Sequence, residues 1–442
     1  MSEREVWSTR FSFIMAVLGF SIGIGNLWRF PYLVGRYGGG VFLAFYLVVV
    51  FFLTIPLFAV EITLGKATRQ DPVGAYKTLA PRTPWVLNGY LNVATMVLIA
   101  GYASPILGYI LAYIFKTAGG TFSRLPSSEI AGYFGRFTAN KLEVMAWTLA
   151  TVIFLVLIVR RGLRKGVERA NNLMLPALFL ILIILVIRAV TLPGVSKGLA
   201  FYLKPDASKF TWEGAVAAIG QTFFAVGVAM AAALVYGSYL PKESKKVVAN
   251  STIVVLTSTA VAILAGLIIF PSVFSFGLDP DSGFGLTFIT MPNVFNKMPA
   301  GTVFGTLFYI LFFLAAVTSF IGGYEAIIAW LRDQFGIPRE RGVWITGAGV
   351  MAIAVFSSVS GAFFKAADYV ANNIFLILGA TLMAVFAGWV WKIPNFAAAA
   401  GIESKRAIRV WTVVVKYAAP IIMLFTWMSQ LKVLDRLTHL WR

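Results

Sequence analysis

The sequence predicts an all-α integral membrane protein with eleven membrane-spanning helices, ten of which form two inverted five-helix repeats. Of its 442 residues, 59% are hydrophobic and only 12% are charged, whereas a soluble domain has about a quarter charged residues. Apolar segments that can cross a hydrocarbon core of roughly 30 Å recur along the whole chain. Two of these segments, the first and the sixth, carry small and polar residues at their centres, which predicts that both helices are discontinuous.

Eleven apolar segments are long enough to span a bilayer. They lie at about 11–35, 41–65, 86–116, 143–160, 171–191, 214–240, 248–276, 301–331, 342–358, 368–391 and 408–431. We expect residues 1–442 to form one transport domain. In it, 11–191 is the first repeat, 214–391 is the second, inverted repeat, and 408–431 is the eleventh helix.

The charge distribution predicts the topology. The chain has 37 Lys and Arg against 18 Asp and Glu, and the basic residues concentrate in alternate short loops. The positive-inside rule then places the N-terminus in the cytoplasm and the C-terminus outside a multi-pass plasma-membrane protein. Because the excess charge follows this topology, we do not expect a nucleic-acid partner. Glu3, Arg4 and Glu5 precede the first apolar run without a cleavage site, so we expect no cleavable signal peptide.

Residue types that support most enzyme chemistry are scarce. The chain has no Cys and one His, which excludes disulfides, thiol catalysis and a zinc site made of Cys or His clusters. No apolar segment pairs a nucleophile with a base. We therefore expect a protein that is not an enzyme.

The first span contains a stretch that a continuous helix would avoid. Gly19, Gly23 and Gly25 weaken the helix by about 1 kcal/mol each relative to Ala, and Asn26 and Arg29 follow them in an apolar surrounding. Backbone groups freed at mid-membrane are tolerated where a solute or an ion pairs with them. Glycines that allow close helix packing are the alternative, but packing does not explain Asn26 or Arg29.

The sixth span repeats this pattern. Small residues fill the segment 220–232, and Gln221 precedes them. Weakened helices at corresponding places of two halves are typical of inverted-repeat transporters. By the predicted topology the first span runs outward and the sixth inward, as inversion requires.

The eighth span carries adjacent hydroxyls at Thr318 and Ser319. Such hydroxyls commonly bond back to the carbonyl four residues earlier. Beside two interrupted helices, however, two hydroxyls and a carbonyl form a set of hard oxygens that suits a small cation such as sodium. Both interpretations remain open from the sequence.

Glu325 lies two turns beyond Thr318 on the same helix face. A carboxylate inside a span is energetically costly and is a functional hypothesis by default. It could guide a cation or accept a proton. Alternatively, it is a structural glutamate that is protonated or paired with an arginine near the helix end.

Several motifs together resemble the neurotransmitter:sodium symporter family. They are GIGNLWRFPY at 23–32, YGGG at 37–40, PLFAVEITLG at 56–65, GQTFF at 220–224 and LAGLIIFP at 264–271. The resemblance extends from the N-terminus through the eleventh span. It implies the LeuT fold and sodium-coupled transport of amino acids or, in animal relatives, of amines and osmolytes.

The resemblance implies a sodium site, called here the second sodium site, where the first and eighth spans meet. Its ligands would be the carbonyls of Gly19, Ile22 and Ala315 and the hydroxyls of Thr318 and Ser319. In the fifth span, Gly166 and Pro176 match the family's spacing for a segment that unwinds and admits water to this ion.

The resemblance also implies two gates. An outer ion pair would form between Arg29 and Asp368. An inner gate would form between Asp333 and Arg4 or, alternatively, through packing of the nearby Trp7. Tyr239 corresponds to the family's cytoplasmic gate tyrosine.

Departures from the family pattern concern the family's first sodium site, which would comprise Ser21, Asn26, Ala225 and Ser258 here. Asn26 is retained, but Ala225 replaces a threonine and Ser258 an asparagine or aspartate. Ala103 stands where a tyrosine of the family binds the substrate carboxylate. We therefore predict a single sodium ion, bound at the second sodium site. Chloride is not expected, because the family's chloride site is incomplete here.

The implied substrate pocket has small and apolar walls. Its residues would be Ser21, Gly23, Ile24, Gly25, Ile99, Ala103, Phe224, Ala225, Gly227, Met230, Ser319 and Gly323. Gly23 stands where amine-transporting relatives place an Asp, so a hydrophobic amino acid is our first hypothesis and an amino-acid derivative or other small organic solute the second.

The predicted protein is a sodium symporter that works by alternating access as a monomer or loose dimer in the lipid bilayer. A proton-coupled carrier that uses Glu325 is one alternative. An uncoupled carrier or sensor of the same fold, for a solute other than an amino acid, is another.

Overall fold

A computed structural model of the chain describes residues 4–278 and 285–431, and all regular secondary structure in these ranges is helical. Within these described ranges, nine helices are long and apolar enough to span a membrane. They are Gly40–Thr68, Val86–Ala118, Lys141–Val159, Leu163–Val190, Val247–Ser275, Gly301–Phe335, Arg339–Val359, Gly361–Val390 and Lys405–Gln430.

Two further elements are interrupted, as the glycine-rich sequences predict. The pair Arg10–Ser21 and Gly25–Arg36 bends by 52° and makes a tenth span. The other pair, Trp212–Val226 and Ala232–Ser238, occupies the predicted sixth position. The all-helical membrane fold with discontinuous first and sixth helices is thus confirmed, whereas the count of eleven spans and the division into repeats stay predictions. The spans keep their predicted numbers below.

The predicted bounds differ most for the fifth span. It was expected over 171–191, but the helix already begins at Leu163 with the π-helical turn Leu163–Glu168. Arg164 and Lys165 in this turn, and Arg169 directly after it, make the segment resemble a loop in sequence, because a hydropathy pattern reflects charge and not the hydrogen bonds of the backbone.

Short helices connect the spans. They are Pro72–Leu79, Ser127–Ala139, Val195–Leu203, Met291–Lys297 and Ile393–Ala400, with single 3₁₀ turns at Phe122–Arg124 and Ala207–Lys209.

The two interrupted spans pass through the centre of the helix bundle. The inner half of the sixth span packs closely on the second span, since a Cβ on Gly237 would approach Cα of Ile62 to 2.9 Å. Small residues allow such backbone contact between membrane helices. By contrast, the last helix leaves large apolar side chains such as Ile421 and Leu424 exposed, as expected of a surface that faces lipid.

Candidate functional site

The first span is interrupted between Ser21 and Gly25. Ile22 leaves the helical region with φ −102° and ψ 97°, and the second segment begins with a π-helical turn at Gly25. A helix end leaves its last carbonyls without intrahelical partners. Those of Phe20 and Ser21 accept hydrogen bonds from the hydroxyls of Ser319 (2.9 Å) and Ser258 (2.7 Å).

The sixth span is interrupted between Val226 and Ala232. Gly227, Ala229 and Ala231 all have positive φ, at 81°, 61° and 65°, a region that L-residues with a Cβ rarely adopt. The buried carboxylate of Glu61 in the second span accepts a hydrogen bond from the backbone N–H of Ala229 at 2.8 Å. Glu61 therefore stabilises this interruption, a role that the sequence analysis did not assign to it.

A cavity lies between the two interruptions. The empty space in and at the mouth of this cavity, open solvent included, is about 750 Å³. Ten of the twelve predicted substrate residues line it: Gly23, Ile24, Gly25, Ile99, Ala103, Phe224, Ala225, Gly227, Met230 and Ser319.

The other two predicted residues do not line the cavity. A Cβ on Gly323 would lie 3.1 Å from Sδ of Met96, because the thioether of Met96 covers that glycine. The side chain of Ser21 is fully buried, and its carbonyl is bonded to Ser258 instead. Met96 replaces Gly323 as the lining residue on this side.

Further lining residues escaped the sequence analysis. They are Phe20, Trp28, Met96, Tyr102, Ile106, Phe320 and Phe364. All are large and mostly apolar, and the sequence of an apolar helix does not indicate which of its faces meets a cavity. One signal was available in the sequence. Met96, Tyr102 and Ile106 lie three or four residues from Ile99 or Ala103, so they share the helix face of these two predicted lining residues.

The predicted second sodium site collects oxygens at the junction of the first and eighth spans. The hydroxyl of Thr318 donates to the carbonyls of Leu314 (2.9 Å) and Ala315 (3.1 Å), which leaves its lone pairs free. The carbonyls of Gly19 and Ile22 receive no hydrogen bond from any residue that the structure describes. These carbonyl and hydroxyl oxygens are the hard ligands that suit a small cation.

The residues of the predicted first sodium site bond to one another. The amide Nδ2 of Asn26 donates to the carbonyl (3.0 Å) and the hydroxyl (2.9 Å) of Ser258, and Oδ1 of Asn26 accepts from the N–H of Gly23 (3.2 Å). The hydroxyl of Ser258 in turn donates to the carbonyl of Ser21, and Ala225 offers no side-chain oxygen. Most of this donor set is therefore already satisfied within the protein.

The outer gate residues face the cavity without pairing. Arg29 and Asp368 both line it, but the structure forms no ion pair between these two described residues. The guanidinium of Arg29 lies 4.8 Å from the ring centroid of Phe224. Asp368 accepts hydrogen bonds from Tyr102 (2.9 Å) and Asn372 (2.8 Å) instead.

The inner gate residues are in contact. Arg4 forms an ion pair with Asp333 and donates to the hydroxyl of Ser238 at 2.9 Å. The guanidinium of Arg4 also lies 5.1 Å from the ring centroid of Tyr239. The indole of Trp7 donates to the carbonyl of Tyr236 at 2.9 Å. The inner gate residues Arg4 and Asp333 are therefore paired, whereas the outer gate residues Arg29 and Asp368 are not.

Glu325 is buried and paired. Its carboxylate accepts hydrogen bonds from both terminal nitrogens of Arg339, at 2.9 and 2.5 Å, and from the hydroxyl of Tyr239 at 2.7 Å. Of the interpretations left open by the sequence, the geometry favours the structural, arginine-paired glutamate. Among the described residues that line the cavity, neither Glu325 nor its partners Arg339 and Tyr239 occur.

Asp71, in the loop after the second span, supports the inner gate. Its backbone N–H donates to Asp333 at 2.9 Å, and its carboxylate accepts from Gln334 at 2.6 Å. Burial raises the pKa of the Asp71 carboxyl from 3.8 to about 6, and the charge of Asp333 adds to the rise, against the hydrogen bonds that lower it.

We expect this carboxyl to make the protein less stable as the pH rises. Because the folded state binds the proton more tightly than the unfolded state, the stabilisation is complete below about pH 4 and is lost as the pH passes about 6. Thermal unfolding of the purified protein across this range should show a falling midpoint, and Asp71→Asn should flatten that slope. The control is Glu340→Gln, which removes a carboxylate at an exposed position. An unchanged slope in Asp71→Asn would contradict the assignment.

Comparisons with known proteins show the family of the chain. The profile of the sodium:neurotransmitter symporter family matches residues 4–128 and 137–440. An uncharacterized sodium-dependent transporter of Bacillus subtilis, YhdH, is 35% identical over 87% of this chain and 88% of its own length. One of Haemophilus influenzae is 32% identical over 97% of this chain and 98% of its own.

A solved structure shows the same fold. The crystal structure of MhsT in complex with L-phenylalanine superposes with a TM-score of 0.91 at 34% identity and covers 97% of this chain and 100% of MhsT.

Proposed function

The chain belongs to the sodium:neurotransmitter symporter family, and we propose that it couples the uptake of a hydrophobic amino acid to one sodium ion by alternating access. The family and the fold are those of multi-pass, sodium-dependent membrane transporters and not of enzymes. The observation that carries the proposal is Ser319. It lines the cavity, and its hydroxyl donates a hydrogen bond to the carbonyl of Phe20 in the interrupted first span. Because Ser319 also follows Thr318 directly, one residue contacts both the substrate cavity and the proposed cation site.

The shape and chemistry of the cavity support a hydrophobic amino acid. Its walls include Ile24, Ile99, Phe224 and Met230, which favour an apolar side chain. The outer half of the first span begins at Gly25 with N–H groups that can receive a carboxylate, and the helix dipole favours that negative group. The structural relative MhsT was solved with L-phenylalanine. An amino-acid derivative or another small organic solute is the second hypothesis.

Stoichiometry of one sodium follows from the two candidate sites. Hydrogen bonds join the side chains of Asn26 and Ser258 and the carbonyl of Ser21, so most oxygens of this site already have partners, whereas the hydroxyl of Ser21 has none among the described residues. The carbonyls of Gly19 and Ile22 accept none from described residues. We place the ion at the second sodium site. Chloride is not part of this proposal.

The gates suggest the order of the transport cycle. Arg4 and Asp333 are paired whereas Arg29 and Asp368 are apart, which supports our proposal of a state that receives sodium and substrate from outside. Substrate in the cavity would draw the sixth span inward and let Arg29 pair with Asp368. Separation of the inner pair would then move the segment Arg10–Ser21 away and release both solutes into the cell.

The assignment of sides belongs to the same proposal. We place the N-terminus in the cytoplasm and the C-terminus outside the plasma membrane, with residues 11–191 and 214–391 as the inverted repeats. A monomer or a loose dimer would suffice, because the cavity and both gates are built from one chain.

Thermal stabilisation of detergent-purified protein tests this function. We expect a panel of hydrophobic amino acids to raise the unfolding midpoint in sodium but not in potassium, with a sodium dependence of the first order. Uptake against a gradient in proteoliposomes provides the second measurement. If the ligands raise the unfolding midpoint equally in sodium and in potassium, a proton-coupled carrier or an uncoupled sensor is favoured. A steep, second-order dependence on the sodium concentration would contradict the binding of a single ion.

A further inference from the structure

Asn171 of the fifth span carries a buried polar atom that the described contacts leave unexplained. The residue is fully buried, and its Nδ2 donates to the carbonyl of Val167, one turn earlier, at 2.8 Å. Its Oδ1 has no hydrogen-bond partner among the described residues. Since Nδ2 is bonded to a carbonyl, the free atom must be the oxygen and not the nitrogen of the amide. Buried polar atoms in native proteins are nearly always paired, so this one requires a partner.

The oxygen lies at the junction of three spans. An added Cβ on Gly19 would overlap Oδ1 of Asn171 and would lie 3.0 Å from its Cγ and 3.1 Å from Cβ of Thr318. The amide therefore occupies the space that the missing side chain of Gly19 leaves. Gly19 and Thr318 are two of the five predicted ligands of the second sodium site, and the carbonyl of Gly19 likewise accepts no hydrogen bond from described residues.

We propose that Oδ1 of Asn171 is an additional ligand of the sodium ion at the second sodium site. This inference rests on the proposed sodium symport. An amide carbonyl is a hard, neutral oxygen of the kind that the predicted carbonyl and hydroxyl ligands already provide. A bound cation would give the unpaired oxygen of Asn171 its partner.

The position of Asn171 also links the ion to the fifth span. The residue follows the π-helical turn Leu163–Glu168, which begins the span. Movement of this part of the helix away from Gly19 would withdraw one oxygen from the ion and lower the affinity of the site. Sodium release would then be coupled to the fifth span through this contact.

The variant Asn171→Leu tests the proposal, because leucine keeps the approximate volume and removes the oxygen. The measurement is the midpoint of thermal unfolding as sodium replaces potassium at constant ionic strength. We expect the half-saturating sodium concentration to rise by about 10- to 100-fold, the range expected for the loss of one hydrogen-bond-like contact to a charge. The midpoint in potassium should stay the same or rise, since an unpaired buried acceptor has been removed.

Two further variants complete the design. Asn171→Asp keeps an oxygen and should keep the sodium response. Asn172→Leu makes the same substitution one residue on, where the amide contacts Ser12 at 3.3 Å, and should leave the sodium titration unchanged.

The outcomes separate the inference from the function it rests on. If wild-type protein responds to sodium and Asn171→Leu titrates like it, the inference fails and the symport stands. An equal loss of stability in both salts would identify Asn171 as purely structural and overturn the inference. A sodium response lost as fully in Asn171→Asp as in Asn171→Leu would also overturn it. Wild-type protein without any sodium response would overturn both proposals.

Discussion

Replacing Arg339 with methionine should destabilise the folded protein by about 3–5 kcal/mol, the usual cost of leaving one charge of a buried ion pair without its partner. Glu325 is fully buried, and Arg339 supplies two of the three hydrogen bonds that its carboxylate accepts. Tyr239 would supply the only one left. The measurement is the free energy of unfolding of the purified protein, followed by tryptophan fluorescence.

Two comparisons make this prediction specific. Arg160→Met removes an exposed arginine at the end of the fourth span, and it should change the stability by less than about 0.5 kcal/mol. The double variant Arg339→Met with Glu325→Gln should recover most of the loss, because no buried charge then remains unpaired. If Arg339→Met lowers the free energy of unfolding no more than Arg160→Met does, the pair of Glu325 and Arg339 does not stabilise the protein.

The same variants bear on the coupling ion. If Glu325 were the proton carrier of the transport cycle, Glu325→Gln would abolish uptake even where the protein folds normally. We expect it to retain sodium-dependent uptake, since the carboxylate contacts the inner gate through Tyr239 and not the cavity.

Replacing Thr318 with valine should raise the sodium concentration for half-maximal uptake by about 10- to 100-fold, since a contact between a polar group and a charge contributes about 1.5–3 kcal/mol. Valine has the same shape but lacks the oxygen. The hydroxyl hydrogen of Thr318 is directed to the carbonyls of Leu314 and Ala315. The substitution therefore removes the oxygen lone pairs that are available to a cation beside Gly19. Uptake into proteoliposomes as a function of sodium provides the measurement.

Thr346→Val is the matched control. Thr346 in the ninth span is also buried and also bonds back to a carbonyl four residues earlier, that of Gly342, at 2.8 Å. Thr346 does not line the cavity. Equal effects of the two substitutions would mean that Thr318 acts only through its helix and not through a cation.

The sequence by itself determined the membrane class, the approximate bounds of the spans and the two interruptions. These features depend on local properties. Hydrophobicity over about twenty residues determines whether a helix can cross the bilayer, and clusters such as Gly19, Gly23 and Gly25 weaken the helix where they occur. The resemblance to the family then placed ten residues in the cavity that the structure contains, because aligned motifs carry positional information that hydropathy lacks.

Only the tertiary structure decided which polar groups meet. Glu61 bonds the interrupted sixth span at Ala229, Glu325 pairs with Arg339, and Asn26 bonds Ser258. The position of the unpaired oxygen of Asn171 beside Gly19 is likewise visible only in the tertiary structure. Each contact except that between Glu325 and Arg339 joins residues from helices far apart in the chain. No local pattern encodes these pairs, because the partner of a buried polar group depends on how the helices pack around it.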